Sequence, residues 1–183
     1  MKKEFESKVK NIKLVITDVD GVLTDGGMYY TKDGDIMKRF HARDGMGVTL
    51  LKNAGIPTII LTKEKTEMVL RWSERKKILE LLDGVKNKEQ ELEKICEKNN
   101  LTPQEIAYIG DDVNDLKLLG LVGLSVTPNN GIDIAKDICD YVCQNDAGYG
   151  AFRELADLIL ELKNKNWIIK KMKLMIFLMQ AQM

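Results

Sequence analysis

The chain has 183 residues, of which 44% are hydrophobic and 31% charged, and its 28 basic side chains balance its 28 acidic ones. This size suits one compact domain with a substantial core, and the composition is that of an ordinary globular protein rather than a disordered one. The balanced charge excludes a general attraction to nucleic acid or to an anionic membrane, so any site for an anion must be local.

The three cysteines, Cys96, Cys139 and Cys143, are odd in number and irregularly spaced, which argues against a disulfide framework and favours a reducing cytoplasm. The only histidine, His41, is too distant in sequence to complete a metal site with Cys139 and Cys143. The charged N-terminal residues lack the apolar run of a signal peptide, and the apolar residues 170–183 are too few to span a bilayer. We therefore expect a cytoplasmic protein with neither a membrane nor a nucleic acid as partner.

Short aliphatic or β-branched runs alternate along the chain with longer helical patterns. This alternation predicts an α/β fold, a Rossmann-like three-layer sandwich with a central parallel sheet. The predicted strands are, in chain order, residues 13–17, 57–61, 78–82, 105–109, 123–126 and 141–142. The predicted helices are residues 45–54, 66–77, 88–99, 113–119, 133–137 and 151–163.

One segment interrupts this alternation. Residues 28–30 and 36–40 flank residues 32–35 (KDGD) and predict a β-hairpin with Asp-Gly at its turn. An isolated hairpin is marginally stable in water, so it should pack on something, such as a neighbouring subunit. We therefore expect one domain over residues 1–164, with a hairpin insertion at about residues 26–40 and no large cap domain. A C-terminal tail follows, residues 165–183, whose structure the sequence leaves open.

The first candidate site follows the first predicted strand, which leads directly into Asp18-Val19-Asp20-Gly21. In an open α/β sheet, ligands bind beyond the carboxyl ends of the strands, which is where these two acids lie. Because Asp and Gly are also common turn formers, this sequence alone is equally compatible with an ordinary turn.

A second acidic cluster follows another apolar strand, at residues 110–115 (GDDVND). If the two strands are neighbours, Asp18, Asp20 and Asp111 converge, and Asp112 and Asp115 lie nearby. Carboxylates this close raise one another's pKa unless a cation lies among them, and Mg²⁺ suits a few carboxylates and several waters. Asp112 or Asp115 could also serve only as a cap of the helix that follows.

Two further residues suit a phosphate group. Thr62 follows a second strand, and its hydroxyl and the nearby amides could donate to phosphoryl oxygens at a helix N-terminus. Lys88 precedes a helix and could neutralise charge on a transferring phosphoryl group. Alone, such a Thr is usually a helix cap and such a Lys a solvated charge. A phosphate-binding role is supported only by the order in which these residues and the two acidic clusters follow one another along the chain.

This order, Asp-x-Asp-Gly, Thr, Lys and Gly-Asp-Asp-x-x-Asp, resembles the haloacid dehalogenase (HAD) superfamily of phosphohydrolases over about residues 14–160. Within it, the chain resembles the capless branch that includes 3-deoxy-D-manno-octulosonate 8-phosphate (KDO 8-phosphate) phosphatase and keto-deoxynononate (KDN) 9-phosphate phosphatase. The resemblance is carried by the hairpin and by residues 17–26 (TDVDGVLTDG), 40–47 (FHARDGMG) and 148–154 (GYGAFRE).

The resemblance implies a phosphatase, a hydrolase of phosphoric monoesters, that acts on a phosphorylated 2-keto-3-deoxy sugar acid with eight or nine carbons. Asp18 would attack phosphorus and form an aspartyl-phosphate, while Asp20 would protonate the leaving group and later activate water. Mg²⁺ would be held by Asp18, the backbone carbonyl of Asp20 and Asp111. Thr62 and Lys88 would hold the phosphoryl oxygens.

The resemblance also implies an assembly and a supporting shell. Relatives form tetramers in which the hairpin helps to build a central barrel and a neighbouring subunit closes the site, so we expect a homotetramer. Residues 148–150 would then be a mobile gate over the pocket. Asn114 would support the phosphate or an adjacent sugar hydroxyl, and Asp112 and Asp115 would support the acidic cluster.

The chain departs from its relatives at positions expected to bind substrate. Lys63 stands where relatives usually carry glycine, so the turn must form without the conformational freedom of glycine. Glu64 is typical of the nine-carbon acid phosphatases, whereas octulosonate enzymes tend to place arginine there. Trp72 replaces a basic residue of the nine-carbon relatives, and Arg75 keeps a charge where they have lysine. The substrate-binding set, which includes Glu64 and Arg75, is therefore mixed, whereas the catalytic set is intact.

Three other functions remain open. An accessory domain for oligomerisation, like those fused to some sialic-acid cytidylyltransferases, would be expected to have lost Asp20 or the Gly-Asp-Asp motif. A receiver-type binding module would not need an acid or base at Asp20. A phosphomutase usually carries a substantial cap domain, for which the roughly 35 residues after Asp20 leave little room.

Overall fold

A computed structural model of the chain describes residues 2–163. Its central sheet contains six parallel strands, which are β1 (Leu14–Thr17), β4 (Thr58–Leu61), β5 (Glu80–Leu82), β6 (Ile106–Ile109), β7 (Leu124–Thr127) and β8 (Tyr141–Val142). They lie in the order β5-β4-β1-β6-β7-β8. Thr17 pairs with Ile60 on one side and with Ile109 on the other, so β1, β4 and β6 end level with one another.

Helices cover both faces of this sheet. They are α1 (Lys2–Asn11), α2 (Ala42–Asn53), α3 (Glu67–Lys76), α4 (Leu92–Asn99), α5 (Leu116–Leu119), α6 (Asp133–Ile138) and α7 (Ala151–Lys163). Alternate strand residues enter two separate cores, since Val15 packs with α2 and α7 whereas Ile16 packs with α4 and α5. The expected three-layer α/β sandwich is confirmed.

The predicted strands are all present, but two helical predictions differ from the structure. Residues 88–99 begin as a 3-10 turn, Lys88–Glu91, before α4, and only Leu116–Leu119 of residues 113–119 are α-helical. Helix α1 was not predicted, because its many charged residues conceal a narrow apolar stripe. The stripe ends in Val9 and, just beyond the helix, Ile12, both completely buried against the core.

The predicted hairpin is formed by β2 (Tyr29–Thr31) and β3 (Gly34–Met37). Its turn is Lys32–Asp33 rather than Asp33–Gly34, because Thr31 already pairs with Gly34. Tyr30 pairs with Asp35 whereas Tyr29 pairs with Met37, so β3 contains one extra residue and the register shifts at a bulge. Within residues 2–163 no larger insertion interrupts the α/β order, in agreement with the expected absence of a large cap domain.

The remaining sequence predictions concern the cysteines, the membrane and the tail. All three cysteines are free, and Cys96 and Cys143 are buried. None of the helices between residues 2 and 163 combines the length and the apolar composition that a bilayer crossing requires. The predicted C-terminal tail, residues 165–183, lies outside the described residues.

Candidate active site

The acidic residues of both sequence clusters meet at the carboxyl edge of the sheet. Asp18 follows β1 and Asp111 follows β6, and these two strands are hydrogen-bonded neighbours. Carboxylate oxygens of Asp18, Asp111 and Asp115 all lie within 4.8 Å of one another. The predicted convergence of Asp18 and Asp111 is therefore present, but the third carboxylate of the cluster is Asp115 rather than Asp20, which lines the cavity beside it.

A small cavity of about 160 Å³ opens at this edge. It is lined by Asp18, Asp20, Thr62, Lys63, Glu64, Asp111, Asp112 and Asn114. Pockets for whole organic ligands usually enclose roughly 300–1,000 Å³, so this cavity suits a compact group such as a phosphoryl group. The rest of a larger substrate would have to extend outside it.

Asp18 is held in place through both of its carboxylate oxygens. Its Oδ1 accepts the backbone N–H of Val19 at 2.7 Å, and its Oδ2 lies 2.7 Å from Nζ of Lys88. Burial raises the pKa of Asp18 to about 6, although the charge of Lys88 opposes this shift, and the charge of Asp115 adds to it. Near neutral pH the group is therefore a carboxylate, only 5% exposed, that faces the cavity.

Lys88 lies behind Asp18 and is completely buried. Its ammonium also contacts Oδ1 of Asp115 at 2.6 Å and the hydroxyl of Tyr108 at 3.3 Å. Burial alone would lower the pKa of Lys88, but the negative charges of Asp18 and Asp115 more than offset it and the pKa is raised. Lys88 therefore stays a cation, and its ammonium contacts Asp18, Asp115 and Tyr108. It is not among the residues that line the cavity, where it was expected to hold phosphoryl oxygens.

Asp115 supports this arrangement rather than offering a free ligand. Besides Lys88, its Oδ1 accepts the hydroxyl of Tyr108 at 2.6 Å. Its Oδ2 accepts the backbone N–H groups of Asp111 at 2.9 Å and Asp112 at 3.3 Å. Since both oxygens are occupied and the residue is completely buried, Asp115 positions Lys88 and the loop that carries Asp111.

The Asp111 carboxylate has the opposite character. It accepts no hydrogen bond within residues 2–163, and its pKa is raised to about 8 by burial and by the negative charges of Asp18, Asp115 and Asp112. A side chain on Gly21 (φ +81°) would collide with this carboxylate, so only glycine lets the backbone that follows Asp20 come this close. The Asp111 carboxylate, which has no hydrogen-bond partner among the described residues, the Asp18 carboxylate and the nearby backbone at Asp20 together suit a hard cation such as Mg²⁺.

Asp20 has a partner that the sequence did not predict. Both of its carboxylate oxygens contact Nζ of Lys38, at 2.7 Å and 2.8 Å, and Oδ1 also accepts the hydroxyl of Thr24 at 3.1 Å. Lys38 follows the hairpin, 18 residues away in sequence, and no local pattern marks it as different from the other lysines. The pairing arises only because the hairpin returns the chain to the site.

The predicted phosphate- and substrate-binding residues divide into two groups. Thr62, which is buried, lies at the end of β4, and its hydroxyl makes no hydrogen bond with the described residues. Glu64 and Asn114 also line the cavity. Arg75 does not, because it lies exposed in the last turn of α3.

Two other features that the sequence singled out, Trp72 and residues 148–150, make well-defined contacts in the fold. Trp72 stacks on Phe40, with ring centroids 4.8 Å apart and planes 13° apart, so it packs α3 against the chain after the hairpin. Gly148 donates its N–H to the carbonyl of Val22 at 3.0 Å, and its own carbonyl accepts from Arg39 at 3.0 Å. Residues 148–150 are thus anchored beside the loop after Asp20, and a role as a gate stays a prediction.

An aspartate cluster at the carboxyl edge of an open parallel sheet, with a buried lysine on the first aspartate, suits an α/β protein that acts on an anionic group. A sequence model of the family described as haloacid dehalogenase-like hydrolase matches residues 52–155. The chain is 36% identical to the 3-deoxy-D-manno-octulosonate 8-phosphate phosphatase KdsC of Haemophilus influenzae over 162 residues. This alignment covers 88% of this chain and 90% of that protein. The chain therefore belongs to the haloacid dehalogenase-like hydrolase family.

Solved structures give the same result. The cobalt-bound deoxy-D-mannose-octulosonate 8-phosphate phosphatase of H. influenzae has a TM-score of 0.83 at 36% identity, covering 85% of this chain and 91% of its own. The Moraxella catarrhalis 3-deoxy-D-manno-octulosonate 8-phosphate phosphatase, in complex with a magnesium ion, a phosphate ion and KDO, has a TM-score of 0.89 at 33% identity. It covers 95% of this chain and 99% of its own. The expectation that the protein is an enzyme of the phosphatase class is confirmed.

Proposed function

We propose that this protein hydrolyses the phosphate ester of a 2-keto-3-deoxy sugar acid, with KDO 8-phosphate as the first candidate substrate and Mg²⁺ as cofactor. The observation that carries this proposal is the Asp18 carboxylate, fixed between Val19 N–H and Lys88 and facing a cavity of phosphoryl size. The choice of substrate is supported by the relatives, which match nearly the whole chain and are KDO 8-phosphate phosphatases.

Asp18 and Asp20 divide the chemistry between them. Asp18 attacks phosphorus while the bond from phosphorus to the sugar oxygen breaks, and Asp20 gives its proton to that oxygen. Asp20 then takes a proton from a water molecule that attacks the aspartyl-phosphate, which releases inorganic phosphate and restores the Asp18 carboxylate. The adjacent position of the two residues, at the lining of one cavity, supports this assignment.

The other residues of the cluster supply charge and orientation. The ammonium of Lys88 keeps its positive charge beside the Asp18 carboxylate. The hydroxyl of Thr62 is free to donate to a phosphoryl oxygen, and Asn114 lines the same cavity and would support the phosphate or an adjacent sugar hydroxyl. Asp18, Asp111 and the backbone carbonyl of Asp20 would hold Mg²⁺. When bound, the ion supplies positive charge that offsets the repulsion between the carboxylates and an incoming phosphate.

The assembly and location are part of the same proposal. The hairpin exposes Met28, Tyr30, Ile36 and Met37, an apolar surface that a homotetramer built through the hairpins would cover. A cavity of about 160 Å³ leaves most of a sugar acid outside, which supports closure of the site by a neighbouring subunit. Three free cysteines fit a cytoplasmic location.

Glu64 favours the nine-carbon substrates as a second candidate, because it lines the cavity where octulosonate enzymes tend to place arginine. A side-by-side assay on KDO 8-phosphate, KDN 9-phosphate and N-acetylneuraminate 9-phosphate, each with Mg²⁺, decides between them. Glucose 6-phosphate, which lacks the keto acid, is the control. We expect one acid to exceed the control by at least about tenfold in kcat/KM.

Two results would overturn this function. Comparably poor turnover of all the acids and the control would point to a different phosphorylated metabolite. Absence of any turnover, with or without added Mg²⁺, would instead favour the oligomerisation or accessory domain of sugar-acid activation.

A further inference from the structure

Lys38 is an almost buried lysine that is committed to the second aspartate of the site. Its side chain is 6% exposed, and Asp20 is the acidic residue that it contacts within residues 2–163. An ammonium buried this far usually needs a fixed carboxylate partner, because its desolvation is costly. The Lys38–Asp20 contact is therefore a largely buried ion pair of the site rather than a solvent-exposed surface ion pair.

The two residues that follow Lys38 are both anchored to the rest of the fold. The next residue, Arg39, donates to the carbonyl of Gly148 at 3.0 Å and lies over the ring of Tyr149, 4.3 Å from its centroid. The residue after that, Phe40, stacks on Trp72 and forms an antiparallel bridge with Thr24. Because its neighbours are anchored in this way, the backbone holds Lys38 in front of Asp20.

The contacts also distinguish the two oxygens of Asp20. Oδ1 accepts from both Lys38, at 2.7 Å, and Thr24, at 3.1 Å, whereas Oδ2 accepts from Lys38 alone, at 2.8 Å. Oδ1 is thus the more fully occupied oxygen, and Oδ2 keeps more room for a proton or a leaving group. Lys38, which bridges both oxygens, and Thr24, on Oδ1, together fix the plane of the carboxyl group, and Oδ2 keeps one lone pair for chemistry.

We propose that Lys38 is a positioning residue for Asp20: it fixes the carboxyl group so that Oδ2 exchanges the proton with the leaving oxygen and then with water. This inference rests on the proposed function and deepens it, since it assigns the orientation of the acid–base residue to a lysine delivered by the hairpin. Loss of Lys38 then weakens proton transfer while leaving the nucleophile and its partner, Lys88, unchanged.

The test uses esters whose leaving groups differ in their need for a proton. A sugar or alkyl phosphate releases a strongly basic alkoxide and requires the acid, whereas p-nitrophenyl phosphate releases a stable phenolate and requires it far less. We expect Lys38→Met to lower kcat for the sugar-acid phosphate by about 10- to 100-fold, with KM nearly unchanged. For p-nitrophenyl phosphate, the same substitution should lower the rate constant of the initial burst of p-nitrophenol, which reports formation of the aspartyl-phosphate, by less than about threefold.

Matched variants separate positioning from general damage. Lys38→Arg keeps two donors for a carboxylate and should restore much of the lost rate. Lys38→Gln keeps an N–H donor group but loses the charge and should be intermediate, which gives a second result should Lys38→Met fold poorly. Lys32→Met changes an exposed lysine at the turn of the same hairpin and should leave the rate for both esters unaffected.

The decisive measurement is a double-mutant cycle with Asp20. If Lys38 acts through Asp20, Lys38→Met should cost less than about twofold in an Asp20→Asn background, because the residue that it positions no longer transfers protons. Losses that are equal for both esters and additive with Asp20→Asn, or full activity of Lys38→Met, would overturn the inference and leave the proposed function standing. A wild-type protein that turns over neither ester with Mg²⁺ would overturn both.

Discussion

The ammonium of Lys88 lies 2.7 Å from Oδ2 of Asp18, and the lysine side chain is completely buried. Asp115 contacts the same ammonium at 2.6 Å, so this group of two carboxylates and one ammonium carries a net negative charge when all three are ionised. Asp111, once ionised, adds a second negative charge next to it. A divalent cation bound in the cavity would therefore neutralise the cluster without displacing Lys88 from Asp18.

The first prediction concerns the nucleophile. Asp18→Asn should lower turnover by at least about 1,000-fold, because an amide cannot attack phosphorus. The variant should still fold, since asparagine keeps the shape of the side chain and Lys88 keeps Asp115 as a partner. Turnover and far-UV circular dichroism on the same sample check both points. Asp137→Asn, at an exposed position of α6, is the matched control, and near-normal activity of Asp18→Asn would show that the assignment is wrong.

The second prediction separates two contacts of Lys88. Asp115→Asn removes a buried charge that faces the lysine and should lower the free energy of unfolding by about 3 kcal/mol. Tyr108→Phe removes a hydrogen bond but keeps the ion pair, so its cost should be only about 1 kcal/mol. Urea unfolding of both variants measures the difference. Equal losses would mean that the hydroxyl of Tyr108 matters as much as the charge of Asp115.

The parts of this site that the sequence could predict depend on strand ends. Asp18 and Asp111 directly follow short buried strands, and parallel strands bring whatever follows them to one edge. Thr62 follows β4 in the same way. For these residues a local pattern is sufficient, because the position in the fold is determined by the position next to a strand.

The parts that the sequence could not predict depend on long-range packing. Lys38 reaches Asp20 only through the hairpin, whose turn and bulge differ from the pattern that Asp33-Gly34 suggested. Trp72 looked like a change in the substrate-binding set, yet its ring is stacked on Phe40. In both cases the residue type is common at protein surfaces, and only the folded contact reveals its role.

The third prediction follows from the raised pKa of Asp111, about 8 against an ordinary value of 3.8. Between these values the unfolded chain has lost this proton whereas the metal-free folded protein retains it. The contribution of Asp111 to the free energy of unfolding is therefore fully present below about pH 4 and is lost as the pH rises toward 8. Asp18, with a pKa of about 6, contributes in the same direction. Mg²⁺ binds the ionised carboxylates and should reverse the loss.

Urea unfolding at pH 5.5 and pH 8.5, with a chelator and then with excess Mg²⁺, tests this dependence. We expect the stabilisation by Mg²⁺ to be larger at pH 8.5, and we expect Asp111→Asn to remove most of both the pH dependence and the stabilisation. Asp112→Asn, at an exposed neighbouring carboxylate, should retain them. An Asp111→Asn variant that still responds to Mg²⁺ as the wild type does would place the ion elsewhere.

The fourth prediction concerns Lys63, which stands where relatives usually carry glycine. Lys63 is not among the residues with positive φ, so this turn does not require the conformational freedom of glycine. Lys63 is also the one cation among the residues that line the cavity within the described part of the chain. Its charge should therefore attract an anionic substrate to a mouth that is otherwise strongly acidic.

We accordingly expect Lys63→Gly to fold normally and to raise KM for the preferred sugar-acid phosphate by about three- to tenfold, with little change in kcat. Lys63→Ala should behave in the same way, because it removes the charge without adding backbone freedom. Steady-state kinetics at low and at 0.5 M salt provide the check, since screening should shrink the difference between wild type and both variants. A defect in Lys63→Gly that Lys63→Ala does not share would show that backbone flexibility, rather than the lost charge, is responsible.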